Sequence, residues 1–203
     1  VEIGKYLTLA VSVCSAPVFA QETAGGTQQP GLPPAGYGTL RQEDVGVELG
    51  TSTFAIRILP LDESIIRLLA PDTYRSFRHL LESREDEIRR VADRAGTSEP
   101  ALFLVTFFGL QHRARFIPEA LTIISRNRVF RPVGMVPLSP RFGELMLHQR
   151  ETASAIYLYE GGIALFEPMT VAYEGIISEQ WQRILPILDR ERAAVLSRAP
   201  KER

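Results

Sequence analysis

The sequence predicts a mainly β protein with helices: an antiparallel, immunoglobulin-like β-sandwich with a long helical insertion and a C-terminal helix. Short apolar segments separated by turn residues recur between Glu43 and Tyr173, the pattern of an antiparallel sandwich. One stretch, Pro71 to Ala95, abandons that pattern for helical spacing, and a second helical pattern follows Ser178. The alternative is an α+β domain with a single sheet packed by two helices. At 203 residues the chain is expected to form one globular domain, residues 39–203, burying roughly 70% of its unfolded surface without help from a disulfide or metal.

Residues 1–20, VEIGKYLTLAVSVCSAPVFA, read as a secretory signal cleaved after Ala20, with Lys5 ahead of the apolar run. That run is about 15 residues long and broken by Pro17, too short for a stable transmembrane span. Export to the periplasm or the medium is therefore expected. Cys14, the one cysteine, allows a lipoprotein alternative, against which Val13 is bulky at the position before the acylated cysteine. Cleavage after Ala20 would leave a chain without thiols, excluding a disulfide framework, a catalytic cysteine and a cysteine zinc site. Residues 21–38 hold five Gly and three Pro with little charge, as a flexible linker does.

Period-two alternation from Glu43 to Pro60, with Gly50-Thr51 between its halves, predicts a hairpin or a bent strand. Leu61 to Ala70 fits a short helix or a strand. Pro71 suits a first helical turn and Gly96 a left-handed stop. Tyr74, Phe77, Leu80, Leu81, Ile88, Val91 and Ala92 form the apolar stripe of that helix. Its solvated face offers Glu85 and Asp86 to Arg89 and Arg90. Leu102 to Phe108 reads as a strand buried on both sides. Ala114 and Phe116 alternate with Arg113 and Arg115. Further strands are expected at Leu121–Ile124, Val129–Val136, Ala153–Tyr159 and Ile163–Tyr173, for seven or eight in all. Phe142 to His148 is either a helical turn or an extended connection. Ser178 is placed to cap the last helix, with a kink at Pro186.

No sequence motif points to chemistry. There is no G-x-S-x-G, no HExxH and no phosphate-binding glycine loop, so no cofactor and no nucleotide are expected. Ser139, ahead of Pro140, reads as a turn residue, and Glu63, Glu119 and Glu167 are carboxylates without a visible partner. No metal is expected; the weak candidates are His79 with Glu82 and Glu144 with His148, each pair one turn apart if helical.

Charge placement says more. The formal net charge of −1 gives no overall attraction to nucleic acid. The chain is arginine-rich, since all its basic side chains but Lys5 and Lys201 are arginines. Seven Arg lie between His112 and Arg150 against Glu119 and Glu144; five Glu and no Lys or Arg follow from Glu151 to Gln182. Arg113, Arg115, Arg126, Arg128 and Arg131 are thus the candidate binding residues for an anionic ligand. The competing expectation is that Glu151, Glu160, Glu167 and Glu174 neutralise them across the sheet. Together these readings anticipate a non-catalytic module for binding or assembly in the cell envelope, its partner another envelope protein or an anionic envelope component. Two alternatives are an exported hydrolase with a cleft between the long helix and the sheet, and a periplasmic chaperone or adaptor that offers a sheet edge.

Overall fold

The computed structural model describes residues 31–199. The expected signal segment and residues 21–30 of the expected linker lie outside them. Residues 33–38 lie against the folded part. The Pro33 carbonyl accepts from Arg67 at 3.3 Å, the Tyr37 carbonyl accepts from Arg198 at 2.9 Å, and Gly38 is buried beside Leu68.

A single helical turn, α1 (Gln42–Val45), leads into a hairpin of β1 (Val47–Gly50) and β2 (Phe54–Pro60). Val47 pairs with Ile58 and Leu49 with Ile56, so both strands turn apolar residues to one face. The alternation expected from Glu43 begins only at Val47. Before it, Asp44 Oδ2 accepts the Arg41 N–H at 2.7 Å and winds the chain into the turn, burying Val45 from a helix. The ambiguous stretch after Leu61 becomes α2 (Glu63–Ile66), whose cap Asp62 accepts the Ser64 N–H at 2.8 Å.

Helix α3 (Pro71–Ala95) has the expected bounds and ends on Gly96 at φ +70°. Its stripe is less deeply covered than expected: Phe77 and Ala92 are buried, and Tyr74, Leu80, Leu81, Ile88 and Val91 are half-buried. The Glu85–Arg89 ion pair is present, while Arg90 donates to the Asp86 carbonyl rather than to its carboxylate.

β3 (Ala101–Gly109) lies between β2 and the strand formed by Thr152–Tyr159. It is fully buried on the Phe103, Val105 and Phe107 face but only half-buried at Leu102 and Leu104, where the expectation was burial on both sides. β4 (Ala114–Arg115) and a 3₁₀ turn at Pro118–Ala120 precede β5 (Leu121–Ser125). The strand expected from Val129 to Val136 is two strands in different sheets, β6 (Arg128–Phe130) and β7 (Pro132–Pro137). Pro132 brings no N–H to continue the β6 ladder and restricts Arg131 before it, so the chain leaves one sheet and joins the other there. A second 3₁₀ turn, Pro140–Glu144, leads into β8 (Met146–Leu147), then β9 (Thr152–Tyr159).

The long strand expected at Ile163–Tyr173 is regular only over β10 (Met169–Tyr173). Trp181 Nε1 donates to the Leu165 carbonyl at 3.0 Å, which ties that irregular stretch to the last helix instead of a ladder. β10 turns through Glu174 and Gly175, both at positive φ, into β11 (Ile176–Ser178). The last helix, α4 (Gln180–Arg198), runs through Pro186, with Glu179 as its cap residue; Ser178 Oγ accepts from Gln180 N at 3.4 Å.

The protein is thus mixed α/β with antiparallel sheets. Eleven strands among the described residues form three sheets, so the single-sheet alternative does not hold. The first has the order β1-β2-β3-β9-β7, the second β11-β10-β5-β6, and the third pairs β4 with β8. Side-chain contacts join the first two: Phe54 and Phe107 meet the Tyr173 ring at 5.5 and 6.1 Å, and Tyr159 donates to the Leu121 carbonyl at 3.3 Å. α3 covers the opposite face of the first sheet at β7. There a Cβ on Gly134 would stand 2.2 Å from Val91 Cγ1, so the helix approaches this closely only because residue 134 is glycine. α4 buries Trp181, Ile184, Leu188 and Val195 against α1, β1 and β10.

Candidate functional site

The β4–β8 pair exposes two of the candidate arginines. Ala114 pairs with Leu147 and Arg115 with Met146. Ala114, Phe116 and Leu147 are buried in the core, with Phe116 stacked on Phe107 at 4.4 Å, while Arg113 and Arg115 are exposed. The backbone of Arg113 is left-handed, φ 59°, as is that of Arg150 at φ 68° in the loop after β8. Among the described residues no carboxylate lies within salt-bridge distance of Arg113, Arg115, Arg131 or Arg150. Arg131 stands apart from the first two, exposed where the chain crosses between sheets.

Arg126 and Arg128 are engaged elsewhere. Arg126 sits at φ 51° in the two-residue turn between β5 and β6, and its guanidinium grips Glu167 with Nε at 2.8 Å and Nη2 on the other oxygen. The Arg126 hydrogen bonds hold the Glu167 carboxyl below its ordinary pKa, and the same pairing raises that of Arg126. Arg128 pairs with Glu160 and lies over the Phe130 ring at 4.8 Å. Glu151 meets Arg141 at 3.0 Å, and Glu174 in the β10–β11 turn has no arginine in salt-bridge contact among the described residues. The five arginines thus lie on three separate parts of the fold.

The four metal candidates are not brought together. His79 and Glu82 are on α3, where Glu82 binds Arg78 at 2.9 Å. Glu144 ends the 3₁₀ turn and binds Arg141 at 2.8 Å, and Leu145 at φ 55° breaks any helical spacing to His148. Among the described residues no three or more His, Cys, Asp or Glu form a metal-holding group. His148 instead meets His112, Nδ1 to Nδ1, at 3.1 Å. Their 36-residue separation hides this contact from any local motif.

Ser139 and Glu63 have structural partners. Ser139 Oγ accepts the Ser154 N–H at 3.1 Å, tying the turn to β9. Burial would raise the Glu63 pKa, but hydrogen bonds from Arg67 and Arg78 outweigh it and hold the carboxyl below its ordinary value, so Glu63 joins α2 to α3 as an ion. Between α3 and the sheet, Val91 packs over Gly134. An open depression of about 280 Å³ lies between α1 and α4, lined by Glu43, Asp44, Gln180, Arg183, Ile184 and Ile187. No described helix is long and apolar enough to cross a membrane. Comparison with protein-family models, with curated proteins and with solved structures returned no match.

Proposed function

We propose that the protein is an exported, non-catalytic binding module of the cell envelope that holds an anionic component through Arg113 and Arg115. One observation carries the reading. Of the five candidate arginines, Arg126 and Arg128 are neutralised by Glu167 and Glu160, whereas Arg113 and Arg115, two residues apart, are both exposed with no carboxylate within salt-bridge distance among the described residues. Guanidinium groups so placed bind phosphate or carboxylate oxygens bidentately. The signal-like residues 1–20 support export, and the aromatic contacts between two antiparallel sheets support an immunoglobulin-like sandwich as the scaffold.

Vesicles with anionic headgroups and an acidic polysaccharide are the two probes, each at low and at physiological salt. Binding that weakens with salt and with Arg113→Ala/Arg115→Ala supports the proposal, and the responding probe names the source of the anion. An exported hydrolase is the competing reading. Turnover of esterase, phosphatase, peptidase or glycosidase substrates that disappears on mutating a surface residue would replace the binding role.

A further inference from the structure

His112 and His148 lie on two loops at one end of the five-stranded sheet, and the backbone holds both loops in place. The N–H groups of Leu110 and Gln111 both donate to the Thr53 carbonyl, at 2.8 and 3.2 Å, which fixes the loop that carries His112. Arg150 donates to the Gly109 carbonyl at 2.8 Å, and Gly109 donates to that of Glu151 at 2.9 Å. Glu151 Oε2 accepts the His148 N–H at 2.9 Å, so the second loop is pinned to the end of β3 beside the first. The two imidazoles are therefore presented together by a rigid frame, with ring centroids 4.4 Å apart and planes inclined by 39°.

We propose that this pair is a binding site for a divalent transition-metal ion of the zinc or copper class, ligated by the two Nδ1 atoms. The inference goes beyond the anion-binding role and does not depend on it. Metal–imidazole bonds of about 2.0–2.1 Å place two nitrogens 3.1 Å apart at an angle of about 100° at the metal, between tetragonal and tetrahedral geometry. The present contact requires one Nδ1–H and one Nδ1 lone pair. Binding moves that single proton from Nδ1 to Nε2 of the same ring through solvent, so both Nδ1 lone pairs face the ion and no net proton is released. Glu144 and Glu151 are each engaged by Arg141, so water completes the coordination shell. Arg113 and Arg150, flanking the pair in sequence, oppose any dication. Imidazole ligands favour late first-row ions over Mg²⁺ or Ca²⁺, and only the former bind strongly enough to overcome that repulsion.

Titration calorimetry of the full chain with Zn²⁺, in a buffer free of phosphate and chelators, tests the site, with ¹⁵N imidazole spectra recorded alongside. One equivalent of Zn²⁺ is expected to bind and to move the Nδ1 resonances of His112 and His148. His112→Ala and His148→Ala should each weaken binding more than about tenfold, while His79→Ala should leave it unchanged. Mg²⁺ should not compete. The His112 ring is exposed, so its substitution decides the matter even if His148→Ala impairs folding. Absence of Zn²⁺ binding, wild-type affinity in His112→Ala, or loss of binding in His79→Ala would overturn the proposal.

Discussion

Thr39 and Glu191 meet across almost the whole folded chain: Glu191 Oε1 accepts both the Thr39 N–H, at 2.8 Å, and its hydroxyl, at 2.9 Å. The same oxygen accepts from Arg198 at 2.8 Å, so one carboxylate on α4 fastens the segment that enters the domain and the end of its own helix. Burial alone would raise the Glu191 pKa, but the hydrogen bonds from Arg198 and Thr39 more than offset it and the carboxyl titrates below its ordinary range. A depressed folded-state pKa contributes stability that is complete above the unfolded value of about 4.3 and is lost as pH falls through the folded one. Glu191→Gln should therefore lose about 1–3 kcal/mol at pH 7 and converge on the wild type at acid pH, as read by urea unfolding at several pH values. A gap that widens toward acid would refute this linkage.

Gly134→Ala should destabilise by about 1–3 kcal/mol, because its Cβ would meet Val91. Val91→Ala made in that background should recover part of the loss, a non-additivity measurable in a double-mutant cycle. Strict additivity would show that the helix contact lies elsewhere.

Ile88→Asp should likewise cost several kcal/mol, since Ile88 packs half-buried against the core. Glu85→Ala should change stability by less than about 0.5 kcal/mol, its Arg89 pair being exposed. Equal melting temperatures for the two variants would place the apolar stripe on the wrong face.

The helix was legible because its limits rest on local chemistry: Pro71 at the start, Gly96 at the stop, apolar residues every turn between. The β1–β2 hairpin was legible for the same reason. The crossing at Arg131 was not, because Val129, Phe130, Val133 and Val136 are apolar whichever sheet receives them, and period-two spacing does not say which neighbour a strand pairs with. Ile163 to Phe166 misled in a similar way, since Ile163, Leu165 and Phe166 pack against the core outside any ladder. At the surface, opposite charge in successive segments correctly suggested arginine–glutamate contacts, and Arg126–Glu167 and Arg128–Glu160 are such contacts. Which arginines would stay exposed depended on β4 and β8, each two residues long and too short to leave a pattern.

Two buried tyrosines should respond oppositely to loss of their hydroxyls. Tyr173 Oη accepts the Ile117 N–H at 2.8 Å, whereas Tyr157 Oη is buried without a hydrogen-bond partner among the described residues. Burial raises both phenols, Tyr173 to about 12, so neither ionises at neutral pH. Tyr173→Phe should cost about 1 kcal/mol, while Tyr157→Phe should be neutral or stabilising. Thermal unfolding of both variants checks this; a larger loss in Tyr157→Phe would mean that its hydroxyl is satisfied.

Arg113 and Arg115, and not Arg126 and Arg128, are the residues proposed to hold the anion. Co-sedimentation with anionic vesicles and binding to an acidic polysaccharide, compared for the wild type and the two double alanine variants at low and physiological salt, test it most directly. Salt-sensitive binding to one probe is expected, abolished by Arg113→Ala/Arg115→Ala and left nearly intact by Arg126→Ala/Arg128→Ala. No binding at low salt, or equal loss in both variants, would contradict it.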